Sequence, residues 1–393
     1  MKQQHYDVVI VGAGMAGMST AYQLIGKAER VLICEKETPA HAGSSSFGDT
    51  RMYREMYSDR WLARVARQTG SLWAAMEEDA GRKLRAAHGL LFYGEDWGEE
   101  TIEGSIGGAK RVMTEQDIPF REYDAQGIQQ DFPLICEDHW VGLFEANAGA
   151  VLIEDVFGLW RDRITGAGFD LREHTAVLEV NEKESHVEVV LADGERVLAQ
   201  KAILTAGPWT KQFLPSSAQS LAYSVWHMLW GYYTIDPAYR EAFPQWFNFQ
   251  HKEATDLNQG LFYGFPCLDE TKGGTPYVKV GIDWTSDALK HPAYQEGISL
   301  EPPADLLGIM DGFVEEYVQG IDRRFHAQLN PYTMSSDVQF CLDKLSQNVS
   351  VFSHGSGQAF KFAPMIGTCL ATMATGAEPP IDLTPWRLER LVA

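Results

Sequence analysis

Apolar side chains enter this chain in short β-branched runs, and these alternate with stretches of helical period. Tyr6–Val11 (YDVVIV) is such a run and ends in glycines. It reads as a strand buried on both faces, as in a parallel sheet. Met15–Leu24 then has helical character, and Arg30–Cys34 (RVLIC) is a second strand closed by Glu35. Together they form one βαβ unit of about 30 residues. The pattern turns helical again from Trp61 to Ala80. Residues 86–144 are mixed, with glycine-rich turns near 94–108. A strand at Ala150–Ile153 and a helix from Glu154 to Ile164 follow. Strands are expected near 175–181 and 186–191, and Arg196–Thr205 leads to Gly207. Residues 223–265 hold 13 of the chain's 45 aromatics. The last part carries a glycine-rich loop at 355–357 and a helix-like stretch at 364–375. No repeat, low-complexity tract or linker interrupts this order.

Composition narrows the class. The chain has 393 residues and a formal net charge of −21, with 45% hydrophobic and 22% charged residues. That composition is globular, and the length calls for more than one core. The acidic balance argues against nucleic acid and anionic membrane surfaces as partners. Five cysteines at 34, 136, 267, 341 and 369 are scattered without a C-x-x-C, so neither a metal site nor a redox dithiol is signalled. No run approaches the roughly 18 apolar residues of a membrane span, and no secretory leader is evident. The expectation is a cytoplasmic protein, monomeric or weakly self-associating.

Gly12-Ala13-Gly14-Met15-Ala16-Gly17 is a G-x-G-x-x-G between strand and helix. Gly12 serves the tight turn, Gly14 admits a pyrophosphate to the backbone, and Gly17 lets helix and strand approach. Phosphates then sit on free N–H groups at the helix N-terminus. Glu35 stands 18 residues after Gly17, at the end of the second strand, placed for ribose hydroxyls. The glycines alone are weak evidence. With strand, helix and acid in place they point to a dinucleotide, FAD or NAD.

Two further segments narrow this. Gly43–Arg54 reads GSSSFGDTRMYR and Gly355–Phe362 reads GSGQAFKF. YGFP at 263–266, YVKVG at 277–281 and PYTMSSD at 331–337 come in the same order. Together these resemble the monomeric sarcosine oxidase and N-methyltryptophan oxidase family, within the D-amino-acid-oxidase-like FAD enzymes. The resemblance implies an α/β plus α+β fold, in which a Rossmann-like FAD-binding domain is interleaved with a substrate domain on a mixed sheet. The expected divisions are 1–85, 145–215 and 320–393 for FAD, and 86–144 and 216–319 for substrate. It implies oxidation of a C–N bond in an amino acid or related amine, with molecular oxygen yielding hydrogen peroxide. Gly12, Gly14, Met15, Ala16, Gly17, Glu35, Ser45, Thr50, Arg51, Val177, Gly207, Gly355, Gly357, Gln358 and Lys361 are the expected FAD contacts. Arg54 and Lys361 would bind the substrate carboxylate, Tyr263 would line the pocket, Arg51 would lie beside the flavin ring, and Lys279 would activate oxygen. Asn330 stands where the family attaches its flavin through cysteine, so non-covalent FAD is expected. Phe47, Asp283 and Gln358 replace family histidines.

The same residues admit plainer readings. Arg51 and Arg54, three apart, would share a face on a helical turn and could be salt-bridged to Asp49 or Glu55. Lys279 alternates with Val278, Val280 and Ile282, so its face meets either solvent or a cavity, and Asp283 on that face could pair with it. Lys361 precedes a helix with Pro364 in its first turn, yet could be a solvated lysine in a glycine turn. His354 reads as structural. Most of the aromatic belt, including Trp226, Trp230, Trp246 and Phe247, reads as core, with one or two members free to touch substrate. Two other functions stay open: a dehydrogenase passing electrons to a carrier, and a flavin-binding subunit without turnover.

Overall fold

The computed structural model describes residues 5–96, 98, 100–214, 223–250, 260–266 and 276–391. Its first sheet runs in the order 177–182, 187–191, 196–204, 5–11, 31–34, 170–172. The strand at 349–353 pairs in parallel with Ala202–Leu204 and is joined by 341–344. The central strands are parallel, and both of their faces are covered. Val8, Ile10, Ile33 and Ile203 pack under the helices Met15–Leu24 and Ala363–Ala374, through Met18, Ala21, Ile366 and Leu370. Val9, Leu32, Ala202 and Leu204 face Val187, Val189 and Val351 on the other side. That double burial is why the strands read as unbroken apolar runs.

Gly12 takes φ +98, and a Cβ there would sit 2.7 Å from the Thr205 carbonyl oxygen. A Cβ at Gly17 would lie 1.9 Å from the Gly12 oxygen. These two glycines therefore shape the turn and the helix–strand contact. The Arg60–Ala80 helix starts where the Asp59 carboxylate accepts from the Trp61 and Leu62 N–H groups, at 2.7 and 2.8 Å. It ends at Gly81, φ +64.

The second sheet has the order 290–291, 223–235, 277–282, 261–265, 245–249, 90–94, 141–145, 121–124. The strand Ile321–Ser335 pairs along the length of Tyr223–Ile235. This sheet therefore extends past residue 320, where the sequence pattern expects the first layer to resume. One face, with Trp246, Phe262, Val278, Val280 and Ile282, packs on Met310, Phe313 and Val314 of the helix Ala304–Tyr317. Phe262 and Phe313 stack with centroids 4.0 Å apart. The opposite face carries Phe92, Phe247, Tyr263 and Phe265 towards the first sheet. A three-stranded sheet of Thr50–Tyr53, Gly149–Leu152 and Arg85–Ala86 lies between the same elements. Thr50–Tyr53 is thus a strand and not a helical turn, and alternation sends Arg51 and Arg54 to different surroundings.

Candidate active site

A long cleft follows the carboxyl ends of the central strands, the position expected for a dinucleotide in an open parallel sheet. Gly12, Gly14, Met15, Ala16, Glu35, Ser45, Arg51, Val177, Gly207, Gly355 and Gly357 line it. Gly17 lies beneath it, as a packing residue. Sequence reasoning missed Lys36, Ser44, Ser46, Trp209, Tyr332 and Phe360, which line the cleft as well. At one end the Glu35 carboxylate accepts from the Ala13 N–H at 2.8 Å and the Glu37 N–H at 3.0 Å. Ser46 Oγ accepts from the Met15 N–H at 3.0 Å, at the N-terminus of the first helix. A Cβ at Gly14 would meet only Ser46 Oγ, at 3.4 Å, so the backbone there is open to a ligand. Ser44 Oγ is buried with no hydrogen-bonding partner among the described residues. A polar phosphate- and ribose-bearing group fits these donors and acceptors.

The cleft opens at Arg51, Tyr332, Gly357 and Phe360 onto a second cavity of 60 Å³. Thr50, Gln358, Lys361, Lys279, Tyr263 and Asp283 line this second space. Thr50, Gln358 and Lys361 therefore stand at the junction side rather than along the cleft. The Arg51 guanidinium is fixed by main-chain carbonyls of Thr50, Ser45 and Phe47, at 2.8, 2.8 and 2.6 Å. Glu55, for its part, pairs with Arg67 at 3.5 Å. Gln358 Oε1 is buried with no hydrogen-bonding partner among the described residues, and it could accept from a donor on a ligand. Tyr263 packs edgewise on Phe265, and a Cβ at Gly281 would lie 2.2 Å from its ring.

Two lysines and one arginine are buried here. Arg54, 1% exposed, forms an ion pair with Glu103, a residue that sequence reasoning missed. The guanidinium also sits over Tyr57 and Phe92, 4.6 and 4.9 Å from their centroids. Burial opposes its charge, but Glu103 more than offsets that and keeps it ionised. Lys361 is not a solvated turn lysine. Burial, then the neighbouring Arg54, pulls its pKa down to about 7, with Glu103 and Asp283 opposing. Asp283 is pushed well above the ordinary carboxylate range by burial and then by the charge of Glu103, to which it is hydrogen-bonded. Its partners are Glu103, Arg54 and Lys361; pairing of Asp283 with Lys279 does not occur. Lys279 instead lies between aromatic faces, 4.9 Å from the Trp230 centroid and 5.2 Å from that of Phe265. Burial, then Arg51, lowers its pKa far below the usual lysine value, and Asp49 works the other way.

The remaining positions separate clearly. Asn330 is buried and held by three hydrogen bonds: Nδ2 donates to the Ser44 carbonyl at 3.0 Å, and Oδ1 accepts from Trp230 Nε1 at 2.9 Å and Gln328 Nε2 at 3.0 Å. Cys341 is buried and lines neither space, and Cys34 is held up at about 12 by burial, at the Glu35 end of the cleft. Cys267 lies outside the described residues. His354 is buried at φ +51, bonds Ser353 Oγ through Nδ1 at 2.7 Å, and is kept neutral by burial, which lowers its pKa to about 4. Of the aromatic belt, Trp246 is core, Trp226 lies under Lys290, and Trp230 and Phe247 reach the second cavity. Phe47 packs towards Trp230 at 6.4 Å.

A family model described as FAD dependent oxidoreductase matches residues 7–373. The chain is 25% identical over 394 residues to monomeric sarcosine oxidase of Bacillus sp. (strain NS-129), covering 98% of this chain and 97% of that one. It is 25% identical over 397 residues to N-methyl-L-tryptophan oxidase of Yersinia pestis (strain Pestoides F), covering 98% and 99%. Among solved structures, NikD, an unusual amino acid oxidase essential for nikkomycin biosynthesis, superposes with TM-score 0.86 at 25% identity, covering 98% and 97%. L-proline dehydrogenase from P. horikoshii shares the fold, with TM-score 0.76 at 16% identity.

Proposed function

The chain belongs to the FAD dependent oxidoreductase family, and from that premise we propose that it oxidises the C–N bond of a compact amino acid. When bound, FAD supplies the oxidant, taking two electrons and a proton from the amine and passing the electrons on to dioxygen. Gly12, Gly14 and Glu35 would hold its dinucleotide portion along the cleft, with Arg51 and Phe360 at the junction with the second cavity. Asn330 cannot form a thioether, which fits FAD held without a covalent bond. The first sheet with its helices forms the FAD-binding part, and the second sheet forms the substrate part.

The observation that carries the substrate class is a buried charged set at one small cavity: Lys361, Glu103 and Asp283 line it, and Arg54, which does not line it, is ion-paired with Glu103. Lys361 at the cavity, with Arg54 reached through Glu103, suits a carboxylate, and an arginine fork is well shaped for it. Glu103 occupies that fork in the absence of substrate and is the group an incoming carboxylate must share it with. Asp283, held above the ordinary carboxylate range by burial, and Glu103 both line the cavity and offer lone pairs to the substrate N–H. Tyr263 and Phe247 close the apolar side and exclude water. Trp230, Phe247, Tyr263 and Phe265 crowd the cavity wall, which suits a compact side chain. The imine product then hydrolyses in solvent.

The test is peroxide release across N-methyl, cyclic and aromatic amino acids, each beside its decarboxylated amine. Acids should turn over and the matched amines should not. Arg54→Ala should weaken apparent acid binding by about 1.5–3 kcal/mol and leave the amines indifferent. Equal losses for acid and amine would exclude the carboxylate clamp.

A further inference from the structure

Lys279 borders two separate spaces. Beyond the layer formed by Thr50, Phe265 and Lys279 lies a third cavity of 440 Å³, and these three residues line both it and the second cavity. At its inner end the Asp49 carboxylate accepts from Tyr232 OH at 2.6 Å and Tyr277 OH at 3.2 Å. One side of it is apolar, with Leu152, Ile153, Phe265 and Pro266, and Glu154 joins Arg82 and Asp155 on the polar side. Its outer end meets solvent at Arg82 and Asp155, whose side chains are 51% and 39% exposed and 3.2 Å apart. Arg54, Lys361, Tyr263 and Asp283 do not line it.

We propose that this third cavity is the passage by which dioxygen reaches Lys279, and hydrogen peroxide leaves, without crossing the substrate cavity. The inference rests on the oxidase reading above. Dioxygen is small, uncharged and apolar, so an apolar wall favours its entry more than that of ions. It meets the buried Lys279 amine, whose pKa burial lowers and which, when protonated, is a cation flanked by two aromatic faces with no hydrogen-bonding partner among the described residues. A cation in a low-dielectric site stabilises negative charge developing on oxygen far better than one in water. The balance is that of the oxidase reaction. The amine loses two electrons and two protons as its C–N single bond becomes an imine. Dioxygen gains the same two electrons and two protons as hydrogen peroxide. Peroxide is polar and neutral, and the Asp49–tyrosine group offers it hydrogen bonds on the way out.

Gly158 gives a clean probe. It lies on the Ile153–Gly166 helix at the wall of this cavity, and a Cβ there would meet only Arg82 Nη2, at 3.7 Å. Gly158→Phe should fill the passage, with Gly158→Ala as the folding control. Two measurements are made on the FAD-loaded enzyme. The first is xenon density in pressurised crystals. The second is reoxidation by dioxygen after reduction with dithionite, set beside anaerobic reduction by substrate. Xenon should occupy the third cavity of the native enzyme and of Gly158→Ala, and be displaced in Gly158→Phe. Reoxidation in Gly158→Phe should slow about tenfold or more, while reduction by substrate is unchanged. Displaced xenon with native reoxidation would overturn the passage and leave the oxidase reading intact. A native enzyme whose dithionite-reduced flavin ignores dioxygen would overturn both.

Discussion

Three buried charged side chains set most of the chemistry at the residue scale, and each has a different counterweight. Lys279 has aromatic faces, Lys361 has Arg54 against it with Glu103 and Asp283 in support, and Arg54 has Glu103. Lys279→Met deletes the charge next to the third cavity. Stopped-flow reoxidation should slow by orders of magnitude, with anaerobic reduction changed much less. Lys361 carries a pH prediction. Its pKa in the folded protein is lowered to about 7, so it is charged below that value and loses its proton as pH rises through it. Acetate should therefore bind more tightly below pH 7 and weaken above it, and Lys361→Met should flatten the profile. An acetate affinity independent of pH in the native enzyme would remove Lys361 from the clamp. Glu103→Gln should leave the Arg54 cation unpaired and cost about 3–5 kcal/mol in urea denaturation, with acetate restoring part of it. Arg54, Lys361 and Lys279 were legible in the sequence because they fall within motifs. Glu103 was not. It sits beside a Thr101–Gly104 bridge, 49 positions from Arg54, and nothing local marks a carboxylate that turns inward there.

At the scale of elements, the βαβ entry was legible because double burial writes continuous apolar runs, and Gly12 and Gly17 punctuate them. The two outer glycines of the fingerprint and the middle one have separable tasks. Gly17→Ala places a Cβ 1.9 Å from a backbone oxygen and should destabilise the apoprotein itself. Gly14→Ala meets only Ser46 Oγ at 3.4 Å, so apoprotein melting should barely move while FAD affinity falls. Calorimetry of both apoproteins and a flavin titration check this; equal melting losses would contradict the division of roles. Thr50–Tyr53 was misread as a helical turn because a spacing of three is ambiguous in so short a segment, and its pairing with Gly149–Leu152 lies about a hundred residues away. The same remoteness hid the length of Ile321–Ser335. Its charged residues face outward along an edge, so its alternation with Tyr223–Ile235 is weak in isolation.

Across the whole molecule, the two sheets meet at a junction that neither could form alone. The first brings the glycine turns; the small three-stranded sheet brings Arg51; the second brings Lys279, Tyr263 and Asp283; Lys361 enters from the short turn before the Ala363–Ala374 helix. Among the described residues no helix is long and apolar enough to cross a membrane. The non-covalent flavin belongs to this scale, since the described cysteines, Cys34, Cys136, Cys341 and Cys369, come from distant segments and none lines the second cavity. Acid precipitation should release yellow flavin to the supernatant and leave an unmodified protein mass; flavin on the pellet would point to a cysteine link. The central claim is that one cavity joins a flavin to an amino acid held by its carboxylate. Anaerobic mixing of the FAD-loaded enzyme with matched acid and amine pairs, followed by flavin absorbance, tests it most directly. Bleaching by the compact acids and none by their amines is the predicted result. Absence of bleaching by every acid, or equal bleaching by acid and amine, would contradict it.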